Sequence, residues 1–215
     1  MKFKPDLFLL IGDPFQLPGT VHCHALARKG FAESLLSILC HHQNRMMLTT
    51  QYRMHESICN AVSDLTYGGM LTAGKNTNTI TSPLRLLPDN HPLKNLPSAV
   101  VDCRFDEKRE GHVIKNKEEA KVLISVVKQL LDCGVQSRQI GIITFYAAQA
   151  EELKHLRHAL FMALCSQRRL THAQAEAQSQ ALICSTVDGF QGDERDIILI
   201  SCVRTVRSVG FLTDP

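Results

Sequence analysis

Apolar residues are arranged along the chain in short unbroken runs and in longer stretches with helical spacing. Residues 7–11 are such a run, and it ends at the turn residues 12–14, Gly-Asp-Pro. A short apolar run that stops at a turn is typical of a strand buried in a parallel sheet, and α/β proteins bind ligands where such strands end. We therefore predict a buried strand at 7–11. Because so few residues precede it, we expect the chain to begin inside a domain.

Two helices and a loop are predicted in the next part of the chain. Apolar residues recur at helical spacing from Ala32 to Leu39. A second helix is predicted from Glu56 to Leu65, before the Gly68-Gly69 break. The segment 75–97 contains four prolines and little periodicity, which predicts a loop or an irregular edge.

Strands and helices alternate from residue 100 onward. The predicted strands are 100–103, 139–145, 181–184 and 196–203. Asn116, with the acidic Glu119 three positions later, is typical of a helix start, and Gly134 marks the end of that helix. A second helix carries the apolar stripe Leu153, Leu156, Leu160 and Leu164. This alternation predicts an α/β fold with a parallel sheet flanked by helices.

The composition argues against some classes of protein but does not identify the function. The chain has 215 residues, 44% of them hydrophobic, and a formal net charge of +3, which permits a nucleic-acid partner but does not require one. No apolar run approaches the roughly 18 residues of a spanning helix. The first residues lack a small-residue cleavage site. We expect a protein of the cytoplasm or nucleus that is neither secreted nor in a membrane.

The eight cysteines occur singly, without a C-x-x-C pair, and we predict that they are reduced and mostly buried. The clusters 22–24 and 40–42 combine histidine with cysteine. Their internal spacing is not that of a zinc finger, so we predict no metal site there.

Three polar segments lie at predicted strand ends or helix starts. They are residues 12–18 (GDPFQLP), 51–55 (QYRMH) and 186–194 (TVDGFQGDE). Taken singly, each has an ordinary structural explanation: a turn after a strand, a helix start with an exposed cation, and glycines at positive φ in a hairpin. The residue pattern alone predicts only an α/β domain with a polar edge.

All three segments, in this order, resemble motifs III, IV and V of superfamily-one helicases of the nonsense-mediated-decay and senataxin type, with motif V matched from Val187 to Gly192 and on to Asp196. Residues 140–149 resemble the strand-to-helix element of these helicases, with Phe145 where the family usually has proline. The last residues, 210–215, resemble the segment that leads into motif VI. The resemblance covers nearly the whole chain, and its strength lies in the joint occurrence of the motifs.

The resemblance implies two RecA-like domains that clamp ATP between them and move along single-stranded RNA or DNA. Residues 1–45 would be the end of the first domain, and 46–215 would be most of the second, ending before motif VI. The implied fold is a RecA-like parallel sheet flanked by helices and incomplete at both ends.

The resemblance also implies a nucleotide site. Gln16 would sense the γ-phosphate and the attacking water, and Arg53 would be an arginine finger that neutralises charge on the transferring phosphoryl group. Asp13 would support the Gln16 loop. Tyr52 would stack on adenine, and Glu194 would accept a ribose hydroxyl unless it is only a solvated charge in a turn. Gln51 and Gly192 complete the implied cofactor-binding set.

The resemblance further implies that nucleic acid crosses the top of both domains. Thr144 and Thr186 would donate hydroxyl groups to phosphate oxygens. The remaining residues of this implied surface are Phe145, Asp188 and Gln191, the last two chiefly as organisers of their loop. The chain has no Trp, so binding should be directed mostly at the backbone and weakly sequence-specific.

The phosphate-binding pattern G-x-x-x-x-G-K-[ST] does not occur in the sequence. We therefore expect the ligands of Mg²⁺ to lie largely outside this chain and the chain alone to be inactive.

Two alternatives stay open. Residues 65–71 resemble a segment of replication and repair helicase-nucleases, which act on DNA. The chain could also be a catalytically dead RecA-like module that binds nucleic acid or a protein.

Overall fold

The computed structural model describes residues 6–40, 45–75, 77, 83–111, 113–168 and 170–205. The chain divides into two units, Met1–Ile80 and Thr81–Pro215. The domain boundary expected near residue 45 stays a prediction. No helix in the described part of the chain is both long enough and apolar enough to cross a membrane.

The first unit is built from short elements. Its described helices and strands are α1 (His24–Leu26, continued by a π-type turn, Ala27–Phe31), α2 (Leu35–Leu39), β1 (Thr50–Gln51), α3 (Glu56–Thr66) and β2 (Thr72–Ala73). β1 and β2 pair in parallel, with Thr50 opposite Thr72. α3 confirms the helix predicted at 56–65. The helix predicted at 32–39 is shorter, because the Ser34 side chain caps α2 by accepting the Ser37 amide at 3.0 Å.

The buried strand predicted at 7–11 does not form. The segment has no regular structure, and four of its five apolar side chains are exposed, with Leu7 81% and Ile11 86% accessible, while Leu10 is half-buried. A parallel strand needs a hydrogen-bonded neighbour and covered faces. None of the described strands pairs with residues 7–11. The prediction was wrong because a short apolar run favours burial but does not determine which strand, if any, it pairs with.

The second unit contains the larger set of elements. They are a 3₁₀ turn (Pro83–Leu86), β3 (Lys108–Glu110), β4 (Val113–Lys115), α4 (Lys117–Asp132), a second 3₁₀ turn (Ser137–Gln139), β5 (Ile140–Thr144), α5 (Ala147–Arg168), α6 (His172–Ala181), β6 (Ile183–Thr186), α7 (Val187–Phe190) and β7 (Ile197–Ser201). β3 and β4 form an antiparallel hairpin. α5 packs against both α4 and α6.

The sheet of this unit is parallel, with the strand order β6–β5–β7. β5 is therefore the central strand, and Ile140 and Ile142 on it are fully buried. Buried residues of α4 and α5, including Val127, Leu153 and Phe161, belong to the same core. The predicted α/β fold with a parallel sheet flanked by helices is confirmed.

Local signals explain why the α4–β5–α5 segment matches its prediction. Asn116 caps α4 by accepting the Glu119 amide at 3.0 Å, as the pattern predicted. Gly134 has φ +94° and ends the helix. The predicted stripe on α5 faces the core, with Leu153 and Leu164 buried and Leu156 and Leu160 packed beside them.

Two other predictions fail. The strand predicted at 100–103 does not form, and Val100 is 97% exposed. The nearby extended chain pairs instead as the β3–β4 hairpin, which closes at Gly111 with φ +62°.

All eight cysteines are free thiols, but only Cys59 and Cys184 are buried, so the expectation of mostly buried cysteines was wrong. Burial, partly offset by nearby Arg157, raises the pKa of the Cys184 thiol to about 11.

Candidate functional site

The 12–18 loop is organised by one carboxylate. Asp13 Oδ1 accepts the Phe15 amide at 3.0 Å, and Oδ2 accepts both Gln16 Nε2 at 3.1 Å and the Tyr67 hydroxyl at 2.6 Å. Partial burial works against ionisation of this carboxyl, but the three hydrogen bonds, that from Tyr67 first, outweigh it and hold the pKa of Asp13 below its ordinary value. Asp13 therefore fixes the position of the Gln16 amide.

The 51–55 turn is held by the side chain of its first residue. Gln51 Oε1 accepts the backbone amides of Arg53 at 2.8 Å and Met54 at 2.7 Å, and Gln51 Nε2 donates to the Met54 carbonyl at 2.9 Å. The turn leads directly into α3, which His55 caps. The Arg53 side chain is exposed and leaves from a backbone of fixed shape. Gln51 is thus engaged with its own turn.

Tyr52 is 70% exposed and packs over a glycine. A Cβ atom at Gly74 would lie 2.2 Å from Tyr52 Cε1, so only glycine permits this contact. The β1–β2 pairing brings the two residues together, because the Gly74 amide donates to the Gln51 carbonyl at 2.8 Å just after β2. The ring is supported from below and leaves much of its surface free for a stacking partner.

The carboxyl ends of the three parallel strands lie side by side in the second unit. Thr144 is in register with Thr186 on one neighbour and with Ser201 on the other, so the last residues of β5, β6 and β7 form a row of hydroxyl groups. Thr186 is half-buried and its Oγ1 accepts the Gly189 amide at 3.3 Å. Thr144 is fully buried, with its Oγ1 facing the Tyr146 amide at 3.5 Å.

The 186–194 segment forms a single helical turn followed by an open loop. Phe190 anchors α7 to the sheet: it is 8% exposed, and a Cβ atom at Gly141 on β5 would lie 3.0 Å from its ring. Gly192 then adopts φ +91°, which favours glycine. The other predicted site residues of the segment, Asp188, Gln191 and Glu194, are exposed.

Residues 31–215 match the model of a family described as the AAA domain. The chain belongs to this AAA domain family of superfamily-one helicases. The resemblance stated from the motifs is thereby confirmed.

Three relatives illustrate the family. The 5′-3′ DNA helicase ZGRF1 of Mus musculus is 32% identical over 213 residues, covering 98% of this chain and 10% of that protein. The DNA replication ATP-dependent helicase/nuclease dna2 of Schizosaccharomyces pombe is 30% identical, covering 93% of this chain and 14% of that protein. Regulator of nonsense transcripts 1 of Caenorhabditis elegans is 32% identical, covering 96% of this chain and 19% of that protein. The chain thus spans less than a fifth of each relative.

Within this superfamily-one helicase domain, the structure brings some predicted residues together. Asp13 contacts Gln16, and Gln51 contacts the backbone of Arg53, all in the first unit. Thr144 lies beside Thr186 in the second unit, with half-buried Phe145 directly after its strand. The ligand roles of these residues stay predictions. Among the described residues, no three of His, Cys, Asp and Glu gather as a metal site, and His41 and His42 lie outside those residues.

Sequence reasoning missed a buried polar network beside the strand ends. Gln149 is fully buried and accepts the Asn116 amide at 2.9 Å while donating to the Asn116 carbonyl and to Ser201 Oγ, both at 3.0 Å. The Ser201 hydroxyl donates to Glu119 Oε1 at 2.7 Å. Glu119 Oε2 accepts the Val203 amide at 3.0 Å. The network joins the starts of α4 and α5 to the end of β7.

Val203 is the strained residue of this network. It is fully buried and has φ +68°, which is unfavourable for a β-branched side chain. The Glu119 carboxylate holds its amide, and the next residue, Arg204, forms an ion pair with Glu107 at 3.2 Å in which both side chains are less than 10% exposed. Helical periodicity gives no signal for such contacts. The contacts of Glu119 with Ser201 and Val203 span 82 and 84 positions of the sequence.

Proposed function

We propose that the complete protein is an ATP-dependent helicase or translocase that couples ATP hydrolysis to movement along single-stranded RNA or DNA. In this proposal residues 1–45 end its first RecA-like domain and residues 46–215 supply most of the second. The observation that carries the proposal is the row of strand-end hydroxyl groups, Thr186, Thr144 and Ser201, in a parallel sheet whose residues lie within the match to the AAA domain family. Ligands of α/β proteins bind at this edge of the sheet.

The first unit supplies residues suited to the phosphates of ATP. Arg53 is the arginine finger of the proposal: a planar guanidinium donates to two phosphate oxygens at once, and Gln51 fixes the backbone from which it extends. Gln16, oriented by Asp13, presents an amide that donates and accepts, as is needed to position an attacking water. ATP, bound with Mg²⁺, supplies the phosphoryl group whose transfer to water releases free energy.

The base and sugar of ATP would contact other residues. Tyr52 offers an exposed aromatic surface supported by Gly74, which fits adenine stacking. Glu194 is the acceptor proposed for a ribose hydroxyl, in the loop that Gly192 opens. The exposure of Tyr52 and Glu194 leaves both accessible to a nucleotide.

Nucleic acid would contact this edge of the sheet at Thr186, which is half-buried, whereas Thr144 and Ser201 are fully buried. Thr186 is the first candidate for a phosphate contact, because its oxygen accepts the Gly189 amide and its proton can still be donated. Thr144 lies fully buried beside it, so we assign Thr144 mainly to the support of that edge. Asp188 and Gln191 would shape the loop that follows. Contacts of this kind read the phosphate backbone, so the proposed binding is weakly sequence-specific and falls with salt.

The choice between RNA and DNA defines the second candidate function. Relatives at 30–32% identity include a DNA helicase, a DNA replication helicase/nuclease and a regulator of nonsense transcripts, so a DNA-acting helicase-nuclease relative is the alternative. Unwinding of matched RNA, DNA and hybrid duplexes by the complete protein separates the two. A strong preference for DNA would favour the alternative. Either activity fits a nuclear or cytoplasmic location.

The decisive experiment is an ATPase assay of the complete protein with and without single-stranded nucleic acid. The proposal expects phosphate release that is stimulated by the nucleic acid and depends on Mg²⁺. Binding of nucleic acid without any phosphate release would instead support a catalytically dead RecA-like binding module and refute the helicase assignment.

A further inference from the structure

Residues 65–71 have a structural role that the proposed function does not use. They end α3 and reverse the chain: Gly68 and Gly69 have φ values of +58° and +76°, which favour glycine. Ser63 fixes the returning chain, because its hydroxyl accepts the Leu71 amide at 2.9 Å and donates to the Leu71 carbonyl at 2.8 Å. This turn sets the position of Tyr67, the last residue before the glycines.

Tyr67 contacts the 12–18 loop in two ways. Its hydroxyl donates to Asp13 Oδ2 at 2.6 Å, the same oxygen that accepts the Gln16 side chain. Its ring also meets the ring of Phe15 edge to face, with centroids 5.4 Å apart and an interplanar angle of 85°. The loop is therefore held by a polar contact and an aromatic contact from one side chain.

The electrostatics of this hydrogen bond favour a protonated tyrosine and an ionised aspartate. Donation to Asp13, followed by partial burial and the charge of the same carboxylate, raises the pKa of Tyr67 to about 12. The carboxyl itself has a lowered pKa. At neutral pH the pair is thus a neutral donor on a charged acceptor, a stronger class of hydrogen bond than one between two neutral groups.

We propose that Tyr67 is a positioning residue for ATP hydrolysis, which orients Asp13 and, through it, the Gln16 amide. The inference rests on the proposed function. α3 links Tyr67 to the turn that carries Arg53, because the helix starts at Glu56 and ends at Thr66. Eleven helical residues span about 16 Å. α3 therefore joins the residue that supports the Gln16 loop through Asp13 to the turn that carries the proposed arginine finger.

The test is Tyr67→Phe in the complete protein, which removes the hydroxyl but keeps the ring against Phe15. We expect kcat for nucleic-acid-stimulated ATP hydrolysis to fall roughly tenfold or more, as for loss of a hydrogen bond to a charged group. KM for ATP and the Kd for single-stranded nucleic acid should change less than about twofold, because the proposal gives Tyr67 no direct contact with either ligand. Asp13→Asn should lower kcat similarly.

The double variant identifies coupling between the two residues. If Tyr67 acts through Asp13, Tyr67→Phe combined with Asp13→Asn should be little slower than the slower single variant. Thr171→Ala is the matched structural control: it removes a hydroxyl that caps α6 in the second unit and contacts neither Tyr67 nor Asp13, so it should lower the melting temperature but leave kcat within about twofold.

Each remaining outcome is informative. Unchanged kcat for Tyr67→Phe in an active protein, or single effects that multiply in the double variant, would overturn the inference and leave the proposed function intact. Equal losses of kcat for Thr171→Ala and Tyr67→Phe would show a general effect of lowered stability and would overturn the inference. A complete wild-type protein without nucleic-acid-stimulated phosphate release would overturn the proposed function and the inference together.

Discussion

Arg53 is the single residue on which the proposed catalysis depends most. Arg53→Ala in the complete protein should lower ATP turnover roughly 10³-fold or more, the range observed for arginine fingers. Arg53→Lys should be nearly as slow, since a flexible point charge does not reproduce a planar, two-pronged donor. Steady-state ATPase at saturating single-stranded nucleic acid measures both variants, and nucleic-acid binding should persist in each.

The competing view of Arg53 is an exposed ion pair worth at most about 1 kcal/mol of stability. That view predicts normal turnover with a slightly lowered melting temperature. Arg28→Ala removes the same charge from an exposed position in the same unit and serves as the control. Turnover of Arg53→Ala equal to that of Arg28→Ala would remove Arg53 from the catalytic assignment.

Gly74 tests the proposed adenine contact without altering Tyr52 itself. Gly74→Ala places a methyl group 2.2 Å from Tyr52 Cε1, so the ring must move. Loss of one aromatic contact should raise KM for ATP about 2- to 10-fold with little change in kcat. Gly19→Ala is the matched control, because nothing lies within 4 Å of its added Cβ atom. Equal KM values in the two variants would contradict adenine stacking on Tyr52.

At the scale of elements, the Gln149 network ties α4 and α5 to the end of β7. Gln149→Leu keeps the approximate volume but leaves the buried Asn116 amide without its acceptor. A buried unsatisfied group costs about 1–3 kcal/mol, and more than one group loses a partner here, so we expect the free energy of unfolding to fall by about 2–4 kcal/mol. Urea denaturation followed by circular dichroism measures the change.

Gln180→Leu provides the comparison for that substitution. Gln180 is exposed on α6, and its side chain donates only to Glu176, one helical turn away, at 3.0 Å. Its replacement should change the free energy of unfolding by no more than about 0.5 kcal/mol. A similar loss for both variants would show that the buried network contributes no more than a surface pair.

The elements that could be predicted from the sequence are those with a local signal. The cap at Asn116, the stripe on α5 and the apolar runs of β5 to β7 each specify their own structure within a few residues. α6 carried such a signal as well, because Thr171 and Gln174 form a capping box, but its Ala- and Gln-rich sequence lacks an apolar stripe. It was therefore missed.

The elements that were predicted wrongly or not predicted depend on residues that are distant in the sequence. Residues 7–11 are apolar but have no paired strand among the described residues, whereas the charged β3 pairs with β4 although the residue types of β3 do not favour a strand. The same division applies to the site. The row formed by Thr144 and Thr186 follows from parallel strands ending together, whereas the contact between Tyr67 and Asp13 joins residues 54 positions apart.

At the scale of the whole molecule, the two units differ in their interiors. The second unit contains a continuous core in which Leu153, Phe161 and Ile142 are at most 1% exposed. In the first unit, large apolar side chains such as Met46 are as much as 89% exposed. Buried apolar area is the main favourable contribution to folding, so the second unit should account for most of the stability of the chain.

The functional residues proposed in this chain do not include a phosphate-binding loop. Gln16 and Arg53 can act on a phosphoryl group only where another element holds the β- and γ-phosphates, and the 215 residues contain no G-x-x-x-x-G-K-[ST]. The 215-residue chain alone should therefore release no phosphate from ATP above the level of a mock purification, with or without single-stranded nucleic acid. Phosphate release that scales with protein concentration and survives repurification would show that the phosphates bind elsewhere in this chain and that the site is wrongly placed.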